Sequence, residues 1–254
     1  MYNFGQFQYS SGNYSGAADY LYHFCILATD PDLTTSAHWG KLASDTLTGK
    51  WDTALEELNT VRDLIDAKSS MSSLPVTANA NAPGVLNDKI EPALALLHSR
   101  TWLVHWSLFI YFNHEQGRIL LLETFLSPTY LNTIQTACPW ILRYLTVAAI
   151  LSRKTSSFST SSSNSISTRV RNAMKEVVKV IQMEEYQYQD PVTAFLKELY
   201  VEFDFEAAQS ELSRAEEVVK NDFFLGDFRE EFLDNARYMI CELYCRIHHI
   251  IDIR

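Results

Sequence analysis

The sequence has few of the residues from which tight, reactive turns are built. Only eight of its 254 residues are glycine, and none of them has the spacing of a loop that cradles phosphate or binds a dinucleotide. The Gly49-Lys50 pair lacks the earlier glycine of a P-loop. The sequence also lacks a His-Glu-x-x-His motif and the Gly-x-Ser-x-Gly spacing of a hydrolase. We therefore predict a protein that is not an enzyme, with no catalytic residue, no cofactor, no metal and no small-molecule substrate.

Cysteine is scarce, and it does not have the pattern of a small disulfide-bonded domain. We interpret the four cysteines as reduced thiols of a cytosolic protein. Two cysteines and two histidines near the end of the sequence resemble a set of zinc ligands. They are not expected to bind one zinc ion, because Cys241 and His248 would lie about 10 Å apart along a helix. We expect these two cysteines to be packed in a helix interface instead. The cysteines are Cys25, Cys138, Cys241 and Cys245, and the two histidines are His248 and His249.

A long uncharged apolar run is also missing. The most hydrophobic segment, 93–112, contains Arg100 and two histidines, whereas a membrane span needs about 20 mostly uncharged residues. We predict a helix buried inside a helical stack and a soluble protein. Its aromatic stripe, Trp102, Trp106 and Phe109, is interpreted as core, with a peptide-binding groove as the alternative.

Basic residues are fewer than acidic ones, and the net charge is −10. This balance argues against a protein that coats nucleic acid as a whole, although a local basic patch is compatible with it. One such patch is predicted on a helix: Arg169, Arg171, Lys175 and Lys179. The last three are four residues apart and share a face. That face is either simply solvated or contacts RNA phosphates or an acidic partner.

Apolar spacings of three and four residues dominate, so the chain is predicted to be helical. One sequence pattern occurs three times, as GNYSGAADYL, GKWDTALEEL and FDFEAAQSEL. In each copy an aromatic residue is followed by Ala at i+3 and Leu at i+7, which share a helix face, and the small Ala allows a neighbouring helix to approach. Gly12 and Gly49 provide a tight turn before the helix; Phe203, at that position in the third copy, is not expected to.

Two polar stretches interrupt the pattern. Residues 67–84 have no periodicity and are predicted to form a mobile loop. TSSFSTSSSNSIST, at 155–168, buries too little to offset its ordering entropy. We predict a flexible linker over 154–168, between a domain at 1–153 and another at 169–254.

Seven segments, in order along nearly the whole chain, resemble the family formed by the E subunit of eukaryotic translation initiation factor three. They are FGQFQYSSGNYSGAADYLYHF, WGKLASDTLTGKWDTALEEL, RTWLVHWSLFIYFNHEQGR, YLNTIQTACPWILRYL, VVKVIQMEEYQYQDPVTAF, LYVEFDFEAAQSEL and NDFFLGDFREEFLDNARYMICELYCRIHHI. The segments are long and keep their order, so the likeness is more specific than that between any two helical-repeat proteins.

The resemblance implies an all-α fold: a right-handed superhelix of tetratricopeptide-like hairpins in 1–153, leading into the helical part of a PCI domain in 169–254. It also implies a non-catalytic, cytoplasmic scaffold that acts at the small ribosomal subunit during translation initiation and mRNA recruitment. The implied partners are subunits C, D and L of the factor, with contact to mRNA or rRNA and none to membranes. Family members carry a further helical segment before this sequence and a winged helix after it, so we expect a shortened form.

Two other readings stay open at this point. One is a PCI subunit of the proteasome lid or of the COP9 signalosome. The other is a free-standing tetratricopeptide-like module that captures short peptides in a concave groove.

Overall fold

The computed structural model describes the backbone of residues 1–72, 85–158 and 163–248 and the side chains of 1–68, 93–153 and 168–248. All regular structure in these ranges is helical, which confirms the all-α prediction. The chain divides into two compact units, Met1–His114 and Glu115–Arg254. The α-helices are α1 (Tyr2–Ser10), α2 (Tyr14–Leu27), α3 (Pro31–Leu47), α4 (Trp51–Ser72), α5 (Val85–Tyr111), α6 (Gly117–Phe125), α7 (Pro128–Ala137), α8 (Ile141–Phe158), α9 (Ser163–Glu184), α10 (Pro191–Lys197), α11 (Phe205–Asn221) and α12 (Arg229–Ile247).

The first unit is a series of helical hairpins. Each of its helices packs against the next one along the chain, and α1 also packs against α3. The hydroxyl groups of Tyr2 and Ser36, 2.7 Å apart, join α1 to α3. A helix thus contacts both its hairpin partner and the next hairpin, which is the packing that helical repeats require.

The repeated sequence pattern forms the contact face of each hairpin, as predicted. The alanine of every copy is fully buried, and the leucine at i+7 is nearly so; these are Ala17 and Leu21, Ala54 and Leu58, and Ala208 and Leu212. The α3 backbone lies close to Leu21 of α2, because a Cβ atom added at Gly40 would lie 2.9 Å from its Cδ1. Small residues therefore set the distance between the helices.

All three copies begin with a left-handed turn, including the one that has no glycine. Gly12 and Gly49 adopt φ values of 84° and 71°, and Phe203 adopts 55°. The expectation that Phe203 would not form this turn was wrong. The reason lies in the preceding helix, which ends in a π-helical turn at Glu198–Glu202. There the N–H of Asp204 donates to the carbonyl of Glu198 at 3.0 Å and closes the turn.

The second unit is built around α8. This helix packs against α6, α9, α10 and α12. Every residue from Leu145 to Ser152 is buried, as expected of a helix that is apolar on nearly all sides.

One arginine ties α8 to two chain turns. The guanidinium of Arg143 donates to Asp190 at 2.5 and 2.8 Å and lies 3.4 Å from Asp222. Asp190 also caps α10, with Pro191 at the first helical position. Asp227, by contrast, lies in a 3₁₀ turn, and α12 begins at Arg229 without a side-chain cap.

Both polar stretches are partly helical. Helix α4 runs to Ser72, so the mobile loop predicted over 67–84 was wrong for its first residues, while 73–84 lie outside the described residues. Helices α8 and α9 extend into the predicted linker from both sides, and 159–162 lie outside the described residues. Ala, Ser and Lys are compatible with a helix that flanking residues have already nucleated. The predicted domains 1–153 and 169–254 stay a prediction; the two compact units divide earlier, after His114.

A buried charge cluster joins α3 to α4. Glu57 accepts hydrogen bonds from His38 at 2.5 Å and from Lys41 at 2.7 Å, and Lys41 lies 3.3 Å from Asp45. Burial would raise the pKa of Glu57, but the hydrogen bonds from His38 and Lys41 outweigh it and hold this pKa below its ordinary value. For Asp45 burial outweighs the attraction of Lys41, so its pKa is raised.

Replacing the repeat alanine Ala54 by Leu should destabilise the first unit by about 1–3 kcal/mol, because the added carbons overfill a packed interface. The measurement is the free energy of unfolding in urea. Ala67→Leu is the matched control, since Ala67 is an exposed residue of the same helix. Equal stability of the two variants would contradict close packing at Ala54.

Glu57→Gln should cost about 2 kcal/mol at neutral pH, because it removes charge-assisted hydrogen bonds. A lowered carboxyl pKa stabilises the fold above the ordinary pKa of Glu, and this stabilisation is lost as the pH falls through the folded-state value. The variant should therefore show a flatter decline in unfolding free energy below about pH 5.

Asp45→Asn is the matched control for Glu57→Gln. Because the raised pKa means that ionised Asp45 disfavours folding, this variant should be neutral or more stable at pH 7. A loss equal to that of Glu57→Gln would refute the assignment of opposite roles.

Candidate partner-binding surface

Helix α9 exposes a basic face and buries an apolar one. Its buried residues are Val170, Met174, Val177, Val180 and Ile181, and it packs on α8. Arg171, Lys175 and Lys179 point away from that core and are exposed. The spacing of four residues produces this arrangement directly.

The structure separates Arg169 from the other predicted site residues. Its guanidinium forms an ion pair with Glu123 of α6. Within the part of the chain that the structure describes, Arg171, Lys175 and Lys179 form no ion pair. The basic line predicted from the sequence is therefore three residues long here, and its charge is not neutralised by a neighbouring carboxylate.

Arg171 and Lys175 line one side of a groove between α9 and α12. Both helices pack on α8, and the groove between them has a volume of about 400 Å³. Among the described residues, its apolar part is Val170, Met174 and Val178, and the remainder is Arg153, Tyr200, Tyr238, Glu242 and Arg246. Four basic side chains and one carboxylate thus share a groove in an acidic protein.

Glu242 organises the basic residues on the far side. It forms ion pairs with both Arg153 and Arg246. Arg153 also donates a hydrogen bond of 2.5 Å to the hydroxyl of Tyr200. Burial raises the pKa of Tyr200, so its hydroxyl stays neutral at physiological pH. These contacts fix the position of Arg153. Arg171 and Lys175 are exposed and, among the described residues, form no ion pair, so both can bind an anion.

The arrangement is suited to binding rather than to bond making. Positive side chains around an apolar surface attract an anionic ligand and give it a place to bury a hydrophobic group. Lys179, although exposed on the same face of α9, does not line the groove. The groove therefore uses two of the four predicted site residues.

Sequence reasoning missed the other half of this groove. Tyr238, Glu242 and Arg246 follow one another at intervals of four on α12, a spacing that places them on one face. That signal was present in the sequence, but nothing indicated which helix they would oppose. Arg153 comes just before the serine-rich stretch, and Tyr200 lies in the π-helical turn.

The cysteine-histidine cluster does not assemble a metal site among the described residues, in which no group of three His, Cys, Asp or Glu could hold an ion. His248 instead packs on Tyr244, with ring centroids 4.2 Å apart, and His249 lies outside the described residues. The expectation that Cys241 and Cys245 are packed in a helix interface was wrong. Both are exposed, because they lie on the outer face of α12.

The aromatic stripe of α5 is only partly buried: Trp106 and Phe109 are half-buried and Trp102 is exposed. The side chains of Trp102, Trp106 and Phe109 form a chain of ring contacts, and Trp102 is 52% exposed. The buried face of this helix is made by the residues between them, such as Leu103, Val104 and Leu108, so the core prediction was wrong for Trp102. Among the described residues, no helix is both long enough and apolar enough to cross a membrane.

The comparison with curated proteins finds relatives over the whole chain. The E subunit of eukaryotic translation initiation factor 3 from Botryotinia fuckeliana is 46% identical over 260 residues, and the protein of that name in Mycosarcoma maydis is 46% identical over 272. The one in Emericella nidulans is 43% identical over 254. Each alignment covers 100% of this chain and 50–51% of the relative, so the chain spans about half the length of the relatives it matches. No family model matches the chain.

The accessible thiols can be tested directly. Cys241 and Cys245 are exposed, whereas Cys138 is buried and its pKa is raised by burial to about 12. Burial, together with Glu57, raises the pKa of Cys25 to about 11. With a thiol reagent at mildly alkaline pH, we expect Cys241 and Cys245 to react fast and the other two to react slowly until urea is added.

Peptide mapping of the labelled protein assigns each modification to its cysteine. The Cys241→Ser, Cys245→Ser double variant is the control and should lose the fast phase. Fast labelling of Cys138 in the native protein would contradict its burial at the end of α7.

Proposed function

We propose that this chain is part of a structural subunit of the eukaryotic translation initiation factor three complex. The observation that carries the proposal is the identity of 43–46%, along the entire chain, to proteins named as the E subunit of that factor. The resemblance inferred from seven sequence segments is confirmed by these relatives. Sequence identity at this level along the whole chain indicates that the chain and these proteins are homologous.

The proposed mechanism is recognition without catalysis. Stacked hairpins bury their inner faces against one another and present outer faces to neighbours. The relatives' names describe a subunit of an initiation factor and do not describe an enzyme. In this proposal the chain makes and breaks no bond and holds other proteins in position.

The finer assignments belong to the same proposal. Helical repeats occupy 1–153, and the helical part of a PCI domain occupies 169–254. The partners are subunits C, D and L and the small ribosomal subunit, and the place of action is the cytoplasm, where initiation occurs. Two observations support these assignments: the family resemblance, and the packing of the helices in the first unit, which suits a helical repeat.

Co-purification tests the proposal. The chain, expressed with an affinity tag in fungal cells, should recover subunits of initiation factor three, identified by mass spectrometry. Cells that express the tag alone provide the control. Because the chain spans about half of its relatives, recovery of a subset of subunits already supports the proposal.

Two outcomes would contradict it. Recovery of proteasome-lid or signalosome subunits would support a different PCI assembly. Recovery of the chain as a monomer with short peptides, and with no initiation factor subunit, would support a free-standing peptide-binding module.

A further inference from the structure

We propose that the groove between α9 and α12 binds an acidic segment of a partner protein that carries an apolar side chain among its carboxylates. The groove is the one lined by Arg153, Arg171, Lys175 and Arg246. The inference deepens the proposed function by naming a surface and a class of binding segment. It rests on that function only in expecting the segment to belong to a neighbour in the complex.

Charge complementarity is the first support. Arg171 and Lys175 are exposed on successive turns of α9 and have no ion-pair partner among the described residues. Two carboxylates about one helical turn apart, or roughly 5–6 Å, would match them. Charge-assisted hydrogen bonds of this kind are stronger than those between neutral groups. Arg246 adds a third positive charge from the opposite wall, with its side chain 62% exposed.

The apolar floor is the second support, and it favours a protein segment over RNA. The apolar lining is formed by the buried Val170 and Met174 and the half-buried Val178. An aliphatic or aromatic side chain placed between two carboxylates could pack on these residues. The bases of single-stranded RNA bind by stacking on a series of aromatic rings, whereas Tyr238 is the one exposed ring among the described residues of this lining.

The far wall is already held in place. Glu242 pairs with Arg153 and Arg246, and Tyr200 accepts a hydrogen bond from Arg153. A site whose side chains are fixed before binding loses less conformational entropy when the ligand arrives. Tyr238, 62% exposed at the edge of the groove, provides a flat surface for the bound segment.

The test measures binding of short fluorescent probes to the intact chain by fluorescence anisotropy. The first probe is an oligoglutamate peptide with a central leucine. The second replaces the leucine by serine, and the third is a single-stranded oligouridylate of equal charge. We expect the leucine peptide to bind most tightly and its affinity to fall between about 50 and about 200 mM salt, as screening increases.

The double variant Arg171→Glu, Lys175→Glu should weaken binding of the leucine peptide by about tenfold or more, because two attractions become repulsions. The matched control is Arg214→Glu, Lys220→Glu. It changes the net charge by the same amount on exposed positions of α11 outside the groove, so it should leave the affinity within about twofold. Lys179→Glu should have a smaller effect than Arg171→Glu, since Lys179 does not line the groove.

Circular dichroism and thermal unfolding of each variant confirm that it is folded before binding is compared. Three results would overturn the proposal: no binding of the leucine peptide, equal weakening by the control double variant, or tighter binding of the oligouridylate. The last of these would assign the groove to RNA. Equal affinity for the leucine and serine peptides would refute the role of the apolar floor.

Failure of this proposal and failure of the proposed function can be told apart. If Arg171→Glu, Lys175→Glu still recovers initiation factor subunits but the wild-type chain binds no acidic peptide, only the groove assignment is wrong. If the peptide binds as expected but no factor subunit is recovered, the groove stands and its partner belongs to another assembly.

Discussion

Two helices joined by a short turn bury their apolar faces against each other, and their backbones approach most closely where the side chains at the contact are small. This constraint explains why Ala17, Ala54 and Ala208 are fully buried at equivalent positions of three hairpins. A single hairpin still leaves one face uncovered, so each must stack on another. The outer faces that remain, including the basic face of α9, are what such a protein has available for binding its neighbours.

The hairpins could be predicted from the sequence because their signals are local. The aromatic-Ala-Leu spacing and the glycine turns act within one or two turns of helix. Phe203 shows the limit of that reasoning, since its left-handed conformation follows from the π-helical turn before it and not from a preference of phenylalanine. Trp102 of α5 was misassigned to the core for a related reason: aromatic content alone does not show which side of a helix is exposed.

The groove was predictable only in part. The basic line on α9 comes from spacing within one helix. Its opposite wall comes from Arg153 on α8, from the π-helical turn and from α12, which are brought together only because α9 and α12 both pack on α8. Long-range packing of this kind leaves no pattern at a fixed sequence separation. The positive charge of the groove likewise depends on this packing, because its basic side chains come from three separate helices, α8, α9 and α12.

Hydrogen–deuterium exchange, measured on the chain alone and on the chain within a purified initiation factor complex, tests the central claim most directly. If outer helix faces bind neighbours while hairpin interiors hold the fold, amides of α9 and α12 at the groove should become protected in the complex. Those of the buried helix α8 should exchange slowly both in the chain alone and in the complex. Unchanged exchange at every outer face, or a change confined to α8, would contradict the account.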